Sequence, residues 1–107
     1  MAKITGPVEV SVRVNELLAR MTLEEKIAQL QACYIYELQT KGVLVENKVE
    51  ARLQNGIGQI TRIGGASTYT PSQAAQIYNH LQHFLIDKTR LAIPAINHEE
   101  CCVGLMA

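Results

Sequence analysis

The chain has 107 residues, 48% of them apolar and 19% charged, which suits one globular domain or part of a larger one and excludes a disordered polypeptide. Ten Lys and Arg side chains balance ten Asp and Glu, so charge gives no reason to expect nucleic acid or an anionic membrane as a partner. No apolar run approaches the roughly 18 residues of a spanning helix.

The N-terminus lacks the continuous apolar stretch of a signal peptide, which makes the cytoplasm the expected compartment. Three cysteines, two of them adjacent, give neither a disulfide framework nor a CxxC spacing. Cys33, Cys101 and Cys102 therefore read as reduced thiols that behave as small buried hydrophobes.

Val14, Leu17, Leu18 and Met21 form the stripe of an amphipathic helix. Thr22 and Glu25 read as a capping box, each bonding the other's backbone amide, and open a second helix with Leu23, Ile27 and Leu30 on one face. Residues 33–46 have no clear period and are broken by Gly42, which reads as loop. Asn47 is the expected cap of a helix running through Gln54, with Gly56 just past its end. Residues 56–65 are apolar, β-branched and bounded by glycines, the pattern of a strand. Thr70-Pro71-Ser72-Gln73 supplies a cap, a proline in the first turn and a second capping box, so the spacing predicts a helix over 71–88. Leu91 to Ile96 is a near-continuous apolar run that fits a strand buried on both faces.

From residue 56 the order is strand, helix, strand, which predicts a right-handed βαβ unit with parallel strands. In such folds ligands bind beyond the carboxyl ends of the strands, and His98-Glu99-Glu100 stands at one of those ends. His98 and Glu100 share one strand parity, while Glu99 has the other and should face the surrounding helices or solvent. Side chains 98–102 splay to alternate faces of an extended chain, so they are not expected to converge on a metal.

Three blocks, VNELLARMTLEEKIAQL (14–30), NGIGQI (55–60) and RLAIPAINHEECCVGLMA (90–107), resemble in order and spacing the N-terminal segment of glycoside hydrolase family 3, in its β-glucosidase and β-xylosidase branch. The resemblance implies an α/β fold, the N-terminal part of a (β/α)₈ barrel. Residues 1–55 would be a mostly helical leader, and 56–107 a strand-helix-strand unit with the start of an active-site loop. The opening Met and the apolar last residues then imply a natural start and a truncated end.

The resemblance further implies a retaining exo-acting β-glycosidase that removes terminal glucose or xylose. Its aspartate nucleophile and glutamic acid/base would lie beyond residue 107, so no catalytic residue falls in this chain, and no cofactor or metal is implied. The expected partners are an oligosaccharide or small glycoside and the remainder of the barrel with its second domain, with no nucleic acid and no membrane. Glu100 aligns with an acidic residue that grips hydroxyls of the non-reducing sugar, a role a carboxylate fills by accepting two O–H groups at once. By its parity, one step deeper than Glu100, His98 either helps shape the pocket floor or is a satisfied structural residue, the commoner role of a lone His.

The chain departs from the family pattern at several positions. Ala92 replaces the usual glycine before Ile-Pro, a change tolerated if the backbone there is not left-handed. Val103 stands where many members have His, and Met106 where another subgroup has Arg. The Asp-Gln-Glu-Gly-Gly-Arg pattern of the hexosaminidase branch is missing, which argues against amino sugars. Glu100 is one methylene longer than the Asp of many β-glucosidases, which favours pentosides. The rival readings are a helical interaction module using the stripe of helix 71–88, and a thiol or metal protein built on Cys101 and Cys102.

Overall fold

The computed structural model describes residues 6–102 and residue 104. Helix α1 (Pro7–Arg20) begins on a proline, where no amide proton is needed. None of its residues is buried, and Val10, Val14 and Leu18 face solvent. Helix α2 (Leu23–Gln29) opens on the expected box: the Glu25 amide donates to Thr22 Oγ1 at 3.2 Å and the Thr22 amide to Glu25 Oε2 at 2.8 Å.

Residues 33–46, expected as loop, instead carry much of the architecture. Strand β1 (Ala32–Tyr34) runs into a 3₁₀ turn (Ile35–Glu37), followed by the short antiparallel strands β2 (Gln39–Thr40) and β3 (Val43–Leu44). Cys33, Ile35 and Leu38 are fully buried. The conformation changes twice between these three residues, so no single hydrophobic period can register. Lys41 and Gly42 connect β2 to β3 with φ of 51° and 79°, as a two-residue type I′ hairpin loop requires.

Helix α3 (Glu46–Leu53) corrects a second expectation. Val45, not Asn47, occupies the cap position, and it makes no side-chain cap hydrogen bond. Val49 and Leu53 are drawn into the core, and burial of this face overrides the local preference of Asn for a helix start. Gly58, after the helix, is a site of close approach. A Cβ there would lie 2.1 Å from the Gln29 carbonyl oxygen, so only glycine lets the end of α2 pack on the chain entering β4.

Strand β4 (Gln59–Thr61) is shorter than the apolar run around it, because Arg62 turns left-handed with φ of 62°. Helix α4 (Pro71–Lys88) has the bounds and the capping box that its sequence predicts, with the Gln73 amide donating to Thr70 Oγ1 at 3.3 Å. Strand β5 (Ile96–His98) then pairs with β4. The sheet order is β1-β4-β5 and both pairings are parallel. The protein is thus a mixed helix and strand structure around a small parallel sheet, with two consecutive βαβ crossovers where the sequence suggested one.

The register sorts the two faces. Cys33 and Ile60 share a row and join Val49, Leu53, Leu81 and Leu85 in the core, so α3 and α4 cover that face. Ala32, Gln59, Ile96, Tyr34 and His98 point the other way and are exposed, and Thr61 is the buried exception. The expectation of a 91–96 strand buried on both faces therefore fails. Only Ala95 of that run is buried, the regular strand starts at Ile96, and Ile96 is 67% exposed because its face lies open among the described residues. Ala92 has φ of 53°, so the condition for tolerating alanine there is not met, and the residue carries left-handed strain of roughly 1–2 kcal/mol.

Candidate functional site

The three parallel strands end together, and their last residues bring the charged groups of the second crossover to one edge. β4 ends on Thr61 and is followed by Arg62, and β5 ends on His98 and is followed by Glu99 and Glu100. The Arg62 amide donates to the His98 carbonyl at 3.0 Å, which carries the β4–β5 pairing one residue past the strand. Thr61 Oγ1 lies 3.4 Å from His98 Nδ1, so the hydroxyl orients the imidazole on the open face. At the end of β1, the rings of Tyr34 and Tyr36 stack with centroids 5.0 Å apart, forming a flat exposed surface with two phenol groups.

Glu100, the candidate sugar-gripping residue, stands at this edge with a side chain 59% exposed. Its Oε2 accepts from Arg62 Nη1 at 3.0 Å and its Oε1 accepts from Cys102 Sγ at 3.0 Å. Each oxygen keeps a further lone pair, so the carboxylate can still accept from hydroxyl donors. The hydrogen bond to Glu100, with a smaller contribution from burial, pushes the Cys102 thiol above its ordinary value and disfavours the nucleophilic thiolate. Burial likewise pushes Cys33 up to about 11. Among the described residues no cluster of three His, Cys, Asp or Glu side chains has a metal-holding arrangement.

Glu99 sits on the other parity and has a defined task. Its Oε1 accepts from the Gly64 amide at 2.7 Å and its Oε2 from the Gly65 amide at 3.2 Å, so one carboxylate fixes the turn after β4. Beside it opens a cleft of about 330 Å³, walled by Ile63, Tyr69, Ala74 and Tyr78 on the helix side of the sheet. Glu100 does not line this cleft. Glu99, which lines the cleft, is where the polar edge and the apolar cleft adjoin.

Arg62 is the residue that sequence reasoning missed. Its side chain bridges β4 to β5, with Nη1 on Glu100 and Nη2 donating to the Gly65 carbonyl at 3.3 Å. Nε is buried without a hydrogen-bond partner, at a cost of about 1–3 kcal/mol, in addition to the left-handed backbone. A signal was present: a charged side chain directly after a parallel strand falls where ligands bind in α/β folds. Extending the strand to Gly65 hid it inside the element. Tyr34 and Tyr36 were hidden in the same way by reading 33–46 as loop. Val103 and Met106 lie outside the described residues.

No family model matches the chain. The chain is similar to a protein of Formosa agariphila named "Putative beta-xylosidase", with 35% identity over 99 residues. The match covers 89% of this chain and 13% of the relative's length, so the likeness is to a small part of a glycosidase-type protein.

Proposed function

We propose that the chain is the N-terminal portion of a barrel domain of a β-glycosidase of the glycoside hydrolase family 3 type. In this reading the carboxyl edge of β1, β4 and β5 forms one wall of the sugar pocket. Glu100 accepts hydroxyl groups of the terminal non-reducing sugar, and Arg62 donates to the same carboxylate from beside it. The observation that carries the reading is the position of Glu100. It stands at the carboxyl end of a parallel strand, on the face left open, in a chain similar to a protein named as a xylosidase. The open face supports the barrel, because a strand parity with Tyr34, Ile96 and His98 exposed is that of a sheet awaiting a second layer or closure.

Hydrolysis with retention needs two carboxyls about 5–5.5 Å apart, one as nucleophile and one as acid/base. The proposal places both in the remainder of the protein, so residues 1–107 alone are expected to hydrolyse no glycoside. It names a β-xyloside as the preferred substrate and a β-glucoside as the alternative, since the longer Glu100 leaves less room for a hydroxymethyl group. A reducing, cytoplasmic setting suits the free thiols of Cys33, Cys101 and Cys102. The helical-module alternative relied on the stripe of α4, and its Leu81 and Leu85 are fully buried in this chain's own core.

The experiment is Glu100→Gln in the full-length protein, assayed on matched aryl-β-xyloside and aryl-β-glucoside. Loss of charge-assisted bonds worth roughly 1.5–3 kcal/mol should lower kcat/KM by about 10- to 150-fold with the fold intact. Glu100→Asp should raise activity on the glucoside relative to the xyloside. A silent Glu100→Gln would remove Glu100 from the pocket.

A further inference from the structure

We infer that Arg62 is a positioning residue for Glu100, acting through the carboxylate it holds and not through contact with the sugar. The inference rests on the reading of Glu100 as a sugar ligand and deepens it. Three observations at one residue carry it. Arg62 is not glycine, yet it adopts φ of 62°. That conformation turns its side chain back across the strand ends, where Nη1 meets Glu100 Oε2 at 3.0 Å and Nη2 meets the Gly65 carbonyl at 3.3 Å. Its Nε is buried without a partner, so the guanidinium is committed to these two contacts at the expense of its third donor direction.

The fork geometry explains why arginine is required. The planar guanidinium fixes the angle between its two donors, so a Glu100 carboxylate bonded to one is oriented by the carbonyl bonded to the other. The Gly65 carbonyl belongs to the turn whose Gly64 and Gly65 amides are held by Glu99. Glu99, the turn, Arg62 and Glu100 form one chain of contacts. Its anchored end is Glu99, and its exposed end is the carboxylate offered to the ligand. Arg62 is itself turned inward, its side chain only 34% exposed against 59% for Glu100.

The test is a double-mutant cycle in the full-length enzyme, measuring kcat and KM on an aryl-β-xyloside for Arg62→Met, Glu100→Gln and the pair. Positioning predicts that Arg62→Met lowers kcat/KM by about 5- to 50-fold alone and by less than about threefold in the Glu100→Gln background. Arg62→Lys keeps the charge but loses the fork, and should recover only part of the loss. If Arg62→Met does not fold, the same cycle with Arg62→Lys decides, with a loss of at least about threefold expected in wild type and none in the Glu100→Gln background. A full-sized Arg62 effect that persists beside Glu100→Gln would assign Arg62 to the fold or to direct sugar contact and overturn the inference. So would a silent Arg62→Met beside a damaging Glu100→Gln, which leaves the sugar-grip reading standing. A silent Glu100→Gln overturns that reading and this inference together.

Discussion

Two of the Arg–Glu pairs among the described residues stand at opposite edges of the parallel sheet, and they are built differently. At the edge where the strands begin, Arg90 donates to Glu25 from Nε at 2.8 Å and from Nη2 at 2.5 Å, and Nη2 also donates to the Arg20 carbonyl at 2.8 Å. The Glu25 side chain is 10% exposed and also closes the capping box of α2. At the edge where the strands end, Arg62 touches Glu100 once, and the carboxylate stays open to solvent. The bidentate pair on a nearly buried carboxylate ties α1 and α2 to the turn before β5, and the carboxylate accepts three hydrogen bonds from the protein itself. A single-contact, exposed pair leaves lone pairs for something else. In parallel α/β folds the first edge is where stability is placed and the second is where ligands bind.

The pairs should therefore separate stability from activity. The largest expected effect is the loss of about 10- to 150-fold in kcat/KM for Glu100→Gln, with the thermal midpoint unchanged. Glu25→Gln should do the reverse, lowering the midpoint in a thermal scan while leaving kcat/KM of the folded enzyme near wild type. If Glu25→Gln abolished turnover with the fold intact, the division between the two edges would collapse.

Acid sharpens the same contrast. The hydrogen bonds from Arg90, then the Thr22 amide, hold Glu25 down from 4.5 to about 2. A lowered carboxyl pKa contributes stability that is complete above the unfolded value and lost as pH falls through the folded one. Stability attributable to this pair should thus decline between pH 4.5 and about 2, and the decline should be smaller in Glu25→Gln, read from thermal midpoints across that range. A wild-type and variant difference that does not vary with pH over that window would show that the charge of Glu25 is not what the pair contributes.

Smaller effects belong to the neighbours of Glu100. Glu99→Gln leaves one oxygen to serve two glycine amides, so it should destabilise by about 1–3 kcal/mol in denaturant titration while changing kcat/KM much less than Glu100→Gln. If Glu99→Gln were the variant that lost activity and Glu100→Gln the one that lost stability, the strand parity assigned here would be reversed. The smallest change is expected for Cys101 and Cys102 replaced together by Ser. Activity should stay within about tenfold, roughly 1.4 kcal/mol, since the Cys102 thiol is pushed away from ionisation and only donates to Glu100. A loss of thousands with the fold intact would restore a thiol mechanism.

The two crossovers differ in how legible they were. The second, from β4 through α4 to β5, follows the order and direction that its sequence predicts, and α4 does so to the residue, because its punctuation is local: Thr70 and Gln73 each accept from the other's backbone amide, and Pro71 stands where no amide proton is needed. The first, from β1 through α3 to β4, has a sequence pattern that suggests only a loop and a helix capped by Asn47. Its strand is three residues long, and its partner is β4, far along the chain. Arg52 links it further, reaching Glu37, Gln31 and the Ala32 carbonyl from α3. Contacts of that kind leave no periodic trace.

By itself the sequence determined what neighbouring residues decide: both capping boxes, the bounds of α4, the parallel sense of β4 and β5, and the opposite parities of Glu99 and Glu100. These follow from backbone geometry within a few residues, or from the alternation of a strand. Only the tertiary structure decided that the open face of the sheet carries Ile96 and His98, that Ala92 and Arg62 turn left-handed, and that Glu100 meets Arg62. Those outcomes depend on which surface the helices cover and on hydrogen bonds between strand ends 38 residues apart in sequence, a separation across which side-chain pattern carries no information.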